Sequence, residues 1–246
     1  MTKKQEYTCD ELMNLLYEQA NSKTSQKEHT SSSDVEYRLG VSTSVLRKIA
    51  KKSLPNLDNA QCLWGKNSYE SRVIAVLVCP VEEVKVSQVK GWLSETESWA
   101  ICDLIANEVI SHNKEIFSHC KEWAKEEKIY IKRGAISSIA CHAQDLTKLS
   151  EKEFDTYAKI IWSTSDDNRK HIKNACSWAI RELGKINFDN KDRAISLSKK
   201  MIADKNKDRN WVGKNAMKEL ESLIKVPERP RLLSSNSPVG KRYKNN

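Results

Sequence analysis

Apolar residues recur along this chain at three- and four-residue spacing, and no segment alternates convincingly at period two, so the elements it predicts are helices throughout. Thr8 with Glu11 forms a capping box ahead of a helix through Leu12, Leu15 and Leu16. Residues 21–34 are polar and rich in Ser and Thr, and read as a loop. Ser42 is placed to cap a helix carrying Val45, Leu46 and Ile49, which Pro55 ends. Two helices follow, around Asp58 to Trp64 and Tyr69 to Val78, separated at Gly65 and stopped by Pro80. After a short element over Val84 to Leu93, helical patterns cover Glu97 to Ile110, Lys114 to Glu126, Tyr130 to Ala143, Glu151 to Trp162, Arg169 to Ile186, Asp189 to Ala203 and Arg209 to Ile224. From Pro227 onward, Pro, Ser and basic residues occur without a core pattern. The expected organisation is one domain over 1–225 and a disordered basic tail over 226–246.

The stretch ESWAICDLIANEVI, Glu97 to Ile110, wants two different surroundings. On a helix, Ile101, Leu104, Ile105 and Val109 form a core stripe, while Trp99, Asp103, Ala106 and Ile110 fall within a narrow arc on the other side. A tryptophan and a carboxylate one turn apart fit either a helix packed on both sides, with Asp103 paired to a neighbouring base, or an exposed functional surface.

A repeat chooses the architecture. A basic residue followed two or three positions later by alanine opens four helices, at Arg72, Arg133, Lys173 and Lys214. The intervals are 61, 40 and 41 residues, the first spanning two units. That is the period of paired-helix HEAT or armadillo repeats, so the expected fold is an all-α, right-handed α-solenoid with a concave basic face.

Composition agrees. Seven glycines and five prolines in 246 residues leave few tight turns. The formal net charge is +9, of which the five Lys/Arg and one Glu beyond Val226 supply +4, leaving a moderately basic body suited to a polyanion. Seven cysteines, odd in number and mostly within apolar patterns, read as buried free thiols in a reducing compartment, which makes the cytoplasm the expected location. No apolar run reaches 18 residues and no secretory signal is apparent. The five histidines form no HExxH and no cysteines stand as CxxC, so neither a metal nor another cofactor is expected. Single glycines exclude a phosphate loop, and there is no G-x-S-x-G elbow.

What remains is a surface. In the helix after Arg169, Lys170, Asn174, Trp178, Arg181 and Lys185 lie opposite the core stripe of Ile172, Ala175, Cys176, Ala179 and Leu183. In the last helix Trp211, Lys214 and Lys218 lie opposite Val212, Ala216 and Leu220. Basic side chains interleaved with aromatics would neutralise phosphates and pack rings on sugar or base, although packing against an adjacent repeat explains Trp211 at least as well.

The segments YRLGVSTSVLRKIAK, CLWGKNSYESRVIAVLV, ESWAICDLIA, IKRGAISSIA and CSWAIRELGK resemble the HEAT-like repeat DNA alkylation-repair proteins, the AlkD-type DNA glycosylases, from about Leu39 to Ile224. The resemblance implies a monomer acting on double-stranded DNA with alkylated purines, and an active surface of Trp99, Asp103, Arg133 and Trp178. Alkylation at N3 or N7 makes a purine cationic and hence a good neutral leaving group. Asp103 would then stabilise an oxocarbenium-like sugar and orient water, and Trp99 and Trp178 would lie against the sugar. Arg133, Lys170, Arg181, Lys185, Lys214 and Lys218 would hold phosphates without reading sequence. Two other readings stand beside this one. A non-catalytic binder of branched or damaged DNA would tolerate loss of Asp103, and a protein-binding solenoid would show no salt-sensitive DNA affinity.

Overall fold

The computed structural model describes residues 4–20 and 37–244; the polar loop expected over 21–34 lies outside them. The chain forms two compact units, residues 1–116 and 117–246.

The first unit contains α1 (Cys9–Gln19), α2 (Thr43–Lys52), α3 (Leu57–Gly65), α4 (Tyr69–Leu77), α5 (Val86–Glu95), α6 (Trp99–Glu108) and a 3-10 turn, Ile110–His112. Its N-terminal helix starts as the sequence predicts: Thr8 Oγ1 accepts from the Glu11 amide at 3.3 Å, and the Glu11 carboxylate accepts from the Thr8 amide at 2.7 Å. Asn56 caps α3, and Ser68 with Ser71 caps α4. Ser42 stands at the N-cap of α2 but makes no capping hydrogen bond there; its hydroxyl pairs with that of Ser44. α4 packs against α2, α3 and α6, so Ile74, Leu46, Leu63, Ile101 and Ile105 are fully buried.

Glu70 joins α4 to the segment before α2. It is 2% exposed and accepts backbone hydrogen bonds from Leu39 (2.9 Å), Gly40 (2.9 Å) and Val41 (3.3 Å). Gly40 has φ 77°, a left-handed conformation that costs a glycine least.

The second unit contains α8 (Cys120–Trp123), α9 (Ile129–Asp145), α10 (Glu151–Thr164), α11 (Lys170–Gly184), α12 (Phe188–Ala203), α13 (Lys207–Leu220) and α14 (Pro238–Lys244). The single helix expected over Lys114 to Glu126 is instead two short ones, α7 (Lys114–Ser118) and α8. α9, α11 and α13 pack side by side, with α10 and α12 laid against them. An ion pair repeats with this arrangement: Lys132 meets Asp167 at 3.0 Å, and Lys173 meets Asp208 at 2.7 Å. Both the lysines and the aspartates are 41 residues apart, matching the repeat found in the sequence. α12 and α13 approach closely at Gly213, where an added Cβ would stand 2.7 Å from the Ser198 carbonyl oxygen.

Two expectations need correction. The tail is structured through Lys244: Leu233–Ser234 pairs antiparallel with Leu223–Ile224, where the last helix was expected to continue, and α14 follows. Leu232 is 4% exposed, its amide donates to the Lys185 carbonyl at 2.7 Å, and Arg231 reaches Glu182 at 3.1 Å. Buried Val226 and Leu232, with the Arg231–Glu182 ion pair, anchor a segment whose overall composition suggests no core. Nor are all seven thiols free. Cys9 and Cys62 form a disulfide between α1 and α3, which pack against each other across 53 residues of sequence. Cys79, Cys102, Cys120, Cys141 and Cys176 are buried thiols as expected, and burial pushes those of Cys79 and Cys120 up to about 12. Among the described residues no helix is long and apolar enough to cross a membrane.

Candidate nucleic-acid interface

In the first unit, a three-residue connection sets the start of α6. The Thr96 amide donates to the Trp92 carbonyl at 3.0 Å, and the Thr96 hydroxyl accepts from the Ser98 amide at 3.2 Å. Trp99 is therefore the first helical residue and is 47% exposed, a large apolar surface to leave in water. Asp103, one turn on and about 6 Å along the axis, is half-buried. Ile101, Cys102, Ile105, Ala106, Val109 and Ile110 are buried. The buried face is thus rotated from the expected one: Leu104 is only half-buried, while Ala106 and Ile110, assigned to the open side, are fully covered. Packing against both α4 and α5 makes the buried arc wider than a single stripe. The open arc narrows to Trp99 and Asp103 with half-buried neighbours.

The other tryptophans of this unit serve its interior. Trp64 and Trp92 stack at 4.9 Å between ring centroids, Arg72 lies 4.9 Å over Trp64, and the Trp64 indole donates to Glu95 at 2.7 Å. Arg72, the first basic residue of the sequence repeat, is 7% exposed and donates to Asn67 at 2.6 Å.

The second unit holds the remaining expected site residues, and it treats them differently. Arg133 on α9 is 6% exposed and donates to the His171 carbonyl on α11 at 2.5 Å, so its guanidinium braces two helices. Trp178 on α11 is half-buried. Arg181 and Lys185, expected on phosphates, are engaged by carboxylates: Arg181 meets Glu219 at 2.7 Å, and Lys185 meets both Glu219 and Glu182 at 2.8 Å. Burial opposes ionisation of Glu219, yet Lys185 and Arg181 hold its carboxyl below the usual range, as expected for a carboxylate shared by two cations. Glu219 is opposite α11 only because α11 and α13 are adjacent, a pairing absent from the helical pattern of either segment.

Lys170, Lys214 and Lys218 are exposed, and none of them takes an ion-pair partner among the described residues. Lys214 is the third member of the series Lys132, Lys173, Lys214, and unlike the first two it forms no ion pair among the described residues. α13 begins at Lys207, two residues before the expected start, which adds an exposed lysine four positions ahead of Trp211. Asn206 supplies the missed signal by capping the amides of Asp208 and Arg209 at 3.0 and 2.9 Å. Among the described residues no three His, Cys, Asp or Glu side chains form a metal-binding group.

A family model described as DNA alkylation repair enzyme matches residues 12–220. No curated protein matches the sequence. One solved structure similar to this chain is described as a new family of proteins related to the HEAT-like repeat DNA glycosylases with affinity for branched DNA structures; it is 15% identical, with 97% of this chain and 95% of that chain covered and a TM-score of 0.70. A designed armadillo repeat protein is 16% identical over 72% of this chain and 92% of its own, with a TM-score of 0.36. The first likeness gives the HEAT-like repeat fold, and the family match covers most of the sequence. The chain belongs to the DNA alkylation repair enzyme family.

Proposed function

We propose that the protein is a monofunctional glycosylase that hydrolyses the N-glycosidic bond of cationic alkylated purines in duplex DNA, of the 3-methyladenine and 7-methylguanine type. The observation that carries this reading is the exposed Trp99 one turn before the half-buried Asp103, in a chain of this family. Because the alkylated base leaves as a neutral molecule, little acid catalysis is required. The barrier lies in positive charge developing on the sugar, and a carboxylate about 4 Å away at an effective dielectric near 20 lowers it by roughly 4 kcal/mol. Asp103 would supply that charge and orient the attacking water. Trp99 would exclude solvent and present a π-face to the cation, worth about 0.5–2 kcal/mol. Trp178 is the second tryptophan to which this reading assigns that role. Lys170, Lys214 and Lys218 are the exposed cations suited to phosphates.

Asp103→Asn tests it, since the substitution keeps shape and removes charge. Release of free 7-methylguanine from a duplex carrying one lesion should fall about a hundred- to a thousandfold, while affinity for the same duplex changes little. Release that survives the substitution would remove Asp103 from the mechanism.

A second reading is favoured by the affinity for branched DNA ascribed to the structural relative. In that case wild-type protein would bind a branched duplex in low salt and release no base.

A further inference from the structure

Glycosidic cleavage gives Lys214 and Lys218 of α13 a place on phosphates but leaves Trp211 and Lys207, on the same face, without a role. Val212, Gly213, Ala216, Met217 and Leu220 are buried, whereas Lys207, Trp211, Lys214 and Lys218 are exposed. Intervals of four, three and four residues put these four side chains on one stripe, about 16 Å long at 1.5 Å per residue. Trp211 is 39% exposed, and the Lys173 ammonium lies 5.5 Å from its ring centroid. That ammonium is held in turn by Asp208 at 2.7 Å, which compensates its charge and fixes it against the indole. None of Lys207, Lys214 and Lys218 has an ion-pair partner among the described residues; Glu221, at the C-terminal end of the helix, is an exposed carboxylate near the stripe. Trp211 is thus partly covered by Lys173 of α11, and the rest of its ring is open. That open part stands in a row of three lysines that form no ion pair among the described residues.

We propose that this stripe binds an unpaired nucleotide of DNA, with Trp211 stacked on the exposed base and the three lysines on the phosphates beside it. The proposal rests on the reading of the protein as one that acts on DNA. Lysines alone would hold any nucleic acid through its backbone. An exposed indole adds something only for a base with a free face, because bases within a continuous duplex are stacked on both sides. The surface would thus favour flaps, gaps and branch points over intact duplex.

The test uses the full chain and fluorescence anisotropy with a continuous duplex and the same duplex bearing a single-stranded flap. Wild-type protein should prefer the flap. Trp211→Leu should lower flap affinity about tenfold and duplex affinity less than about twofold, while Trp211→Phe retains most of the flap affinity. Lys214→Gln and Lys218→Gln should weaken both complexes alike and reduce the salt dependence by about one unit each. Equal loss on both DNAs with Trp211→Leu, or no loss on the flap, overturns the platform. Release of 7-methylguanine is measured in parallel. If release persists while Trp211→Leu leaves flap binding unchanged, the platform falls and the glycosylase stands; if wild-type protein neither binds nor releases, both fall.

Discussion

Replacing Glu70 with glutamine should destabilise the first unit by about 3 kcal/mol although the side chain keeps its size. The carboxylate oxygens accept three backbone amides, Leu39 on Oε2 and Gly40 and Val41 on Oε1, in a place where Leu39 and Val41 are 5% and 7% exposed. Glutamine has one acceptor oxygen. If that oxygen keeps Gly40 and Val41, the amide nitrogen faces the Leu39 N–H and leaves a buried donor unsatisfied, at about 1–3 kcal/mol. The two hydrogen bonds that survive lose their ionic partner, at roughly 0.5–1 kcal/mol each. For a protein of this size the sum corresponds to a melting temperature lower by about 6–12 °C. Urea unfolding followed by circular dichroism measures it, with Glu18→Gln at an exposed position of the same unit as control. A change below about 0.5 kcal/mol, or one equal to the control, would refute the claim that Glu70 holds residues 39–41 onto α4.

Other consequences follow from particular contacts. Burial opposes ionisation of Asp167, but hydrogen bonds from Arg169 (2.8 Å to Nε) and Lys132 (3.0 Å) hold its carboxyl well below the usual carboxylate range. A folded-state pKa below the unfolded one contributes stability above the unfolded value near 3.9 and loses it as pH falls toward the folded value. Asp167→Asn should therefore cost about 2 kcal/mol at neutral pH, a difference that narrows in unfolding measurements below about pH 4. Gly213→Ala should destabilise by about 1–3 kcal/mol, because its Cβ would meet the Ser198 carbonyl and stand 2.8 Å from the Met201 Cβ. Gly91→Ala, within α5 and with nothing inside 4 Å, should instead stabilise by roughly 0.5–1 kcal/mol; thermal melts of the two variants should move in opposite directions. Thiol titration in denaturant should find five reactive cysteines before reduction and seven after. Cys62→Ala should lower stability by about 2–4 kcal/mol under non-reducing conditions and leave it insensitive to reductant.

Much of the fold was legible in the sequence because helices are local objects. A 3.6-residue period, the Thr8–Glu11 box and the recurrence of basic residues at intervals of 40 and 41 each depend on neighbours along the chain or on regular stacking, and they located the helices and the HEAT-like repeat. Trp99 and Asp103 were legible for the same reason: their one-turn separation is a property of α6 alone. The sequence also contained the exposed stripe of α13, although its first lysine fell outside the expected helix.

What only the tertiary structure decided is which side chains remain available. Arg133, Arg181 and Lys185 have the charge expected of phosphate ligands, but Arg133 braces α9 on α11, and Glu219 and Glu182 engage the other two. Lys170, Lys207, Lys214 and Lys218 remain exposed. The partners of those three residues lie between 3 and 38 positions away, and proximity of that kind is set by how helices pack. The same holds for the backbone amides gathered by Glu70, the Cys9–Cys62 disulfide and the anchoring of the tail by Arg231 and Leu232. Local periodicity determines where a helix lies and which arc of it is apolar. Whether a charge on the other arc meets water or a carboxylate depends on the neighbouring helix, because a cation is stabilised by whichever anion packing brings within hydrogen-bonding distance.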